Sequence, residues 1–168
     1  MSACLRLLAA TIALLLPAAA VSAPVSAPST GKATVLKSLS VLKQADLDFG
    51  ELVVSGAGTA VIDPVSGTMT TTGLVTPIDS MAHPAMFTAT GSRNSVVIIH
   101  VPSSPVTLTR VGGGGTMTIS DWTLDGKINR RMPPESAFNF SVGGTLNVGA
   151  AQAEGTYTGT FAVTVQYP

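Results

Sequence analysis

The chain has 168 residues, 45% apolar and 11% charged, with nine Lys and Arg against nine Asp and Glu. That length is one domain's worth, and the composition is too apolar for a disordered chain. The even charge balance leaves no basic field to recruit nucleic acid or anionic lipid.

Residues 1–20, MSACLRLLAATIALLLPAAA, carry one positive charge at Arg6, then an apolar run, Pro17 and small residues. This is the pattern of a secretory signal peptide. Its apolar run is about ten residues, short of the ~20 a spanning helix needs. Cleavage is expected after Ala20, with Ala23 and Ala27 as alternatives. It removes Cys4, the one cysteine, so no disulfide, thiolate nucleophile or Cys-ligated metal remains. No second long apolar run follows, so no membrane span is expected after signal removal.

Residues 21–31, VSAPVSAPSTG, read as a flexible N-terminal arm, and 32–168 as a single domain. The domain is rich in strand formers: the whole chain holds 21 Thr and 18 Val, with 17 Gly to punctuate them. In chain order the expected strands begin with KATVLKSLSVLKQ, then LDFGELVVS up to a turn at Gly56-Ala57-Gly58. TAVI ends at Asp63-Pro64, and GTMTTTGLV near Pro77. MFTATG, SVVIIHV, PVTLTR and TMTISDW follow, and SAFNFSVGGTLNV and TYTGTFAVTVQYP close the chain. About nine or ten short strands without a helix describe an antiparallel sandwich or barrel.

Chemistry is sparse. Gly112–Gly115 lacks the helix and Lys-Ser/Thr pair of a phosphate loop, so it reads as a hairpin tip. His83 and His100 are isolated. Asp46, Asp48 and Glu51 carry the oxygen ligands a hard cation prefers, without the loop of a calcium site, and read as carboxylates flanking apolar Leu47 and Phe49. No acid, base and nucleophile converge. The expectation is therefore no catalytic, metal or cofactor residues, no small-molecule substrate, and no enzyme.

The most informative segment is the last. Tyr157, Phe161, Val163, Val165 and Tyr167 alternate with Thr158, Thr160, Thr164 and Gln166, with Gly159 in register. Period two over the whole run describes one half-buried strand. Gly155 is fourteenth from the end and Tyr167 penultimate. In these positions the chain resembles the subunits of chaperone–usher fimbriae, the pilins. The segments Ala45-Asp46-Leu47-Asp48-Phe49-Gly50, Gly143-Gly144-Thr145-Leu146-Asn147-Val148-Gly149-Ala150 and Gly155-Thr156-Tyr157-Thr158-Gly159-Thr160-Phe161 resemble the secreted proteobacterial domain of unknown function 4402 family, across most of residues 33–168.

The pilin resemblance implies an immunoglobulin-like sandwich lacking one strand, completed by a strand donated from a periplasmic chaperone or the next subunit. It implies export to the periplasm, then the cell surface or a fimbrium, with self-association or a chaperone as partner. Gly155, Tyr157, Gly159, Phe161, Val163, Val165 and Tyr167 would then form the subunit or chaperone interface. Gly31, Ala33, Val35, Leu39 and Val41 would form a donor arm that avoids Pro24 and Pro28. Two alternatives stand beside it. Residues 33–43 form the domain's own first strand, or the chain is a monomeric secreted binding module.

Overall fold

The computed structural model describes residues 25–78 and 80–168. The expected signal peptide and the start of the expected arm lie outside these. The chain divides after Thr34, and the described part of the first unit, residues 25–34, has no helix or strand and is exposed.

The second unit, Val35–Pro168, is built from strands. They are β1 (Ser40–Ala45), β2 (Leu52–Ile62), β3 (Met69–Pro77), β4 (Ala85–Thr90), β5 (Val96–His100) and β6 (Val106–Arg110). β7 (Thr116–Leu124), β8 (Asn129–Arg131), β9 (Ala137–Val148), β10 (Tyr157–Thr158) and β11 (Thr164–Gln166) follow. The described residues contain no helix.

The fold is an all-β sandwich of two antiparallel sheets. The larger runs β1-β4-β9-β7-β6-β10, with β2 and β3 branching from β9; the smaller runs β11-β5-β8. β9 is the hub. One edge pairs with β7, and the other carries two strands end to end, β4 along Ala137–Val142 and β2 along Gly144–Val148. The strands meet at Gly143. A Cβ there would lie 2.1 Å from the Ile62 carbonyl oxygen and 2.9 Å from Pro64 Cδ, so only glycine fits. Opposite it, β7 bulges between Ser120 and Thr123, with Asp121 at a φ of 49°. A bulge adds local twist and bend, which helps the large sheet curl.

Alternation sorts the side chains. In β4, Ala85, Phe87 and Ala89 face inward while Met86, Thr88 and Thr90 face out. Two apolar clusters result. One holds Phe87, Ala89, Ile99, Phe140 and Val142 between β4, β9 and the small sheet; Phe87 stacks on Phe140 at 5.3 Å. The other holds Phe49, Ile62, Val75, Ile119, Leu146 and Val148 under the far half of β9. Leu47 and Trp122 touch both.

Three expectations are corrected. The first strand begins at Ser40, not near Lys32, so the extended lead-in is longer than the sequence suggests. Gly56-Ala57-Gly58 is no turn. β2 runs through it, because a register shift between Val54 and Gly58 absorbs the irregularity within the β2–β3 pairing. The C-terminal run is not one strand but two, β10 and β11, in different sheets.

Candidate functional site

The two layers are unequal. The three-stranded sheet packs over the Phe87–Phe140 cluster, while β6, β7 and the C-terminal half of β9 have no second sheet above them among the described residues. What remains is a groove of about 1140 Å³. Its floor is inward-facing Val106 and Leu108 of β6, Met117 and Ile119 of β7, and Leu146 of β9. One wall is Leu47, Phe49, Leu52 and Val54; the other is the C-terminal segment with Tyr157 and Phe161. Leu47, Leu52, Val54, Leu108 and Met117 are each only half-buried.

Charges stand on the rim. Lys43 and Asp46 form an exposed ion pair at 2.6 Å. Asp48 accepts the Gly50 N–H at 2.9 Å, and its backbone exchanges hydrogen bonds with His83 at 3.0 and 2.8 Å. Glu51 and Glu154 also line the rim. His83 is thus a bridging backbone position, and His100 lies exposed at the end of β5. No group of three or more His, Cys, Asp and Glu among the described residues could hold a metal. Gly112–Gly115 lies in the β6–β7 hairpin connection, where Arg110 Nη1 donates to the Gly113 carbonyl at 3.1 Å.

The C-terminal wall explains why the long strand is broken. Tyr157 and Thr158 pair with Arg110 and Thr109 of β6. The Tyr157 hydroxyl donates to Ala153 O at 2.7 Å and accepts from Gln152 Nε2 at 2.6 Å. At Gly159 the chain passes so close to β6 that a Cβ would sit 2.7 Å from the Thr107 carbonyl oxygen. It then crosses to the other sheet, where Thr164, Val165 and Gln166 pair with His100, Ile99 and Ile98. Between the two strands, residues 159–163 make no backbone–backbone hydrogen bond among the described residues.

The side-chain alternation survives the crossing. Tyr157, Phe161, Val163, Val165 and Tyr167 are all half-buried, and Thr158, Thr160, Thr164 and Gln166 are exposed. The predicted interface residues separate into two groups. Gly155, Tyr157, Gly159 and Phe161 line the groove, where Phe161 lies 4.6 Å from the Trp122 ring. Val163 and Val165, together with Phe161, pack against the Phe87–Phe140 cluster. Phe161→Ala is expected to lower stability by about 2–3 kcal/mol, from lost area and the ring pair. Thr160→Ala should cost under about 0.5 kcal/mol. Urea denaturation of both checks the face assignment, and equal losses would overturn it.

Tyr167 forms a clasp. Its hydroxyl donates to the Lys37 carbonyl at 2.7 Å and accepts the Ser92 N–H at 2.8 Å, while Lys37 N–H donates to Ser92 Oγ. Desolvation raises the phenol's pKa, but hydrogen bonds with Ser92 and Ser95 and the Lys37 charge bring it below the usual value. The clasp fixes where the N-terminal lead-in joins the domain. Tyr167→Phe keeps the ring and loses both bonds, for about 1–2 kcal/mol. Amide exchange at Ser92 should accelerate; unchanged exchange would show that the clasp is not maintained in solution.

The predicted donor residues also divide. Val41 pairs with Ala89 in β1 and packs on the core, and Leu39 is half-buried beside Gly91. Gly31, Ala33 and Val35 are exposed, Val35 at 94%. The domain itself therefore takes Val41 in its first strand and Leu39 just ahead of it, leaving the apolar positions from Val25 to Val35 exposed. The groove floor was missed by sequence reasoning. Its signal was the alternation Val106, Leu108 and Met117, Ile119 in neighbouring strands, with nothing to say that this face lacks a covering layer.

Among the described residues no helix is long and apolar enough to cross a membrane. Comparison with curated proteins and with solved structures finds no match. The sequence model of one family, Domain of unknown function (DUF4402), matches residues 39–167, which takes in β1, the groove and the C-terminal crossing. The chain belongs to the DUF4402 family.

Proposed function

We propose that this chain is an exported structural subunit that assembles by β-strand addition, in the manner of a pilin, into a surface fibre or coat. The observation that carries this reading is the open groove, apolar at its floor, beside residues 159–163, whose backbone lacks strand partners among the described residues. An extended segment laid there would gain main-chain hydrogen bonds along the C-terminal wall and bury the half-exposed floor. The described residues ahead of Val35 are a segment of the right kind, exposed and without helix or strand. A head-to-tail contact of that sort does not close on itself and gives a filament. In this reading the protein passes the inner membrane by its signal peptide, reaches the periplasm and then the surface, and has no catalytic role. A periplasmic chaperone would cover the groove until assembly.

The test is the size distribution of the exported chain by light scattering and negative-stain microscopy, with and without a synthetic peptide of residues 21–35. Filaments, or a monomer whose melting temperature rises with the peptide, are expected. A stable monomer indifferent to the peptide would overturn the assembly reading and leave a monomeric secreted binding module.

A further inference from the structure

We infer that the groove selects its occupant by charge, and that the occupant is the N-terminal arm of a second copy, admitted by Lys32. This rests on the assembly reading above and goes beyond it by naming what is admitted and why. The rim carries Asp46, Asp48, Glu51 and Glu154 against two cations, Lys43, which Asp46 engages at 2.6 Å, and Arg110, whose Nε donates to the Glu154 carbonyl beside the groove. The groove therefore presents a negative mouth over an apolar floor. An anionic segment would be repelled from it, and a cationic one drawn in.

The arm matches both parts. From Val25 to Val35 its only charged residue is Lys32. In an extended chain alternate side chains point to opposite sides. Val25, Ala27, Ser29, Gly31, Ala33 and Val35 would then share the face laid on the floor. Their small size suits a floor already crowded by Phe49, Leu108 and Met117. Lys32 falls on the opposite, outward face, at the level where the rim carboxylates stand. Pro28 lies on that same outward side. Apolar contact supplies the area, and Lys32 supplies the discrimination between this arm and other exported small-residue segments.

The experiment is fluorescence anisotropy of a labelled peptide of residues 25–36 titrated with the exported chain, at low and high salt. Lys32→Glu and Lys32→Ala peptides are run in parallel. At low salt the Lys32→Glu peptide should bind roughly tenfold more weakly than the native one, with Lys32→Ala between them. High salt should nearly abolish the difference. A chain carrying Asp46→Lys and Glu154→Lys, both exposed positions, should invert the order and prefer the Lys32→Glu peptide. Misfolding cannot produce an inversion. Equal binding of all three peptides to the native chain would overturn charge selection and leave the groove as a strand acceptor. Binding by none of them, with the chain a stable monomer, would overturn the assembly reading as well.

Discussion

Phe140→Ala is expected to destabilise the domain by about 3–5 kcal/mol, a large part of the ~5–15 kcal/mol that holds a domain folded. Phe140 is 1% exposed at the middle of β9. Its ring stacks on Phe87 at 5.3 Å and tilts against Phe138 at 5.9 Å. Arg130 lies 5.9 Å from the ring centroid, held by Asp125. Truncation removes the ring, both aromatic contacts and the surface that orients Arg130. Collapse cannot refill the space, because Phe140 pairs with Phe87 in the ladder and both backbones are fixed. Urea denaturation should show a lower midpoint with an unchanged slope. The melting temperature should fall by about 10 °C. A loss below about 1 kcal/mol would mean that the cluster under the small sheet is loosely packed.

Gly143→Val is expected to cost about 4 kcal/mol or more, or to prevent the protein from accumulating. The strain has a specific source. The new Cβ meets the Ile62 carbonyl oxygen at 2.1 Å, Pro64 Cδ at 2.9 Å and Thr123 Oγ1 at 3.0 Å. The first is backbone in the ladder between β2 and β9, so it cannot step aside without undoing the junction where β2 and β4 share one edge. Gly149→Ala is the control. A Cβ there meets only Gln152 Oε1 at 3.5 Å, and the change should stay within about 1 kcal/mol. Thermal unfolding of both variants decides. A Gly143→Val protein as stable as the control would show that the two strands do not abut there in solution.

Much of the fold was legible because alternation is a local signal. β4 and the inward set Tyr157, Phe161, Val163, Val165 and Tyr167 follow directly from period two, and β5 from its continuous apolar run. The break between Thr158 and Thr164 was not legible. Side-chain direction persists while the segment changes partner from β6 to β5, and the pattern carries no record of which strand is across. The turn expected at Gly56-Ala57-Gly58 failed for a related reason. Glycines mark bulges as well as turns, and only pairing to β3 distinguishes them. Leu39 and Val41 have the same composition whether they serve this domain or a neighbour; the clasp by Tyr167 on Lys37, far away in sequence, is what places them here. The groove was least visible of all. It is made by a missing layer over strands that each look ordinary, and absence of a neighbour leaves no mark on the residues beneath.

The hub position of β9 has a kinetic consequence. β2 and β4 are made early, yet each waits for the same late partner, residues 137–148, before joining the large sheet. Until then only separate pairs can form, β1–β4, β2–β3, β5–β8 and β6–β7, and each presents bare edges. The last closure, Tyr167 onto Lys37, spans 130 residues. A chain delivered N-terminus first thus holds only unjoined strand pairs until residues 137–148 arrive. Long-range pairing of this kind is intrinsically slow and leaves edges open to other chains. An architecture that waits on so late a partner leaves its early strands in need of cover until β9 arrives.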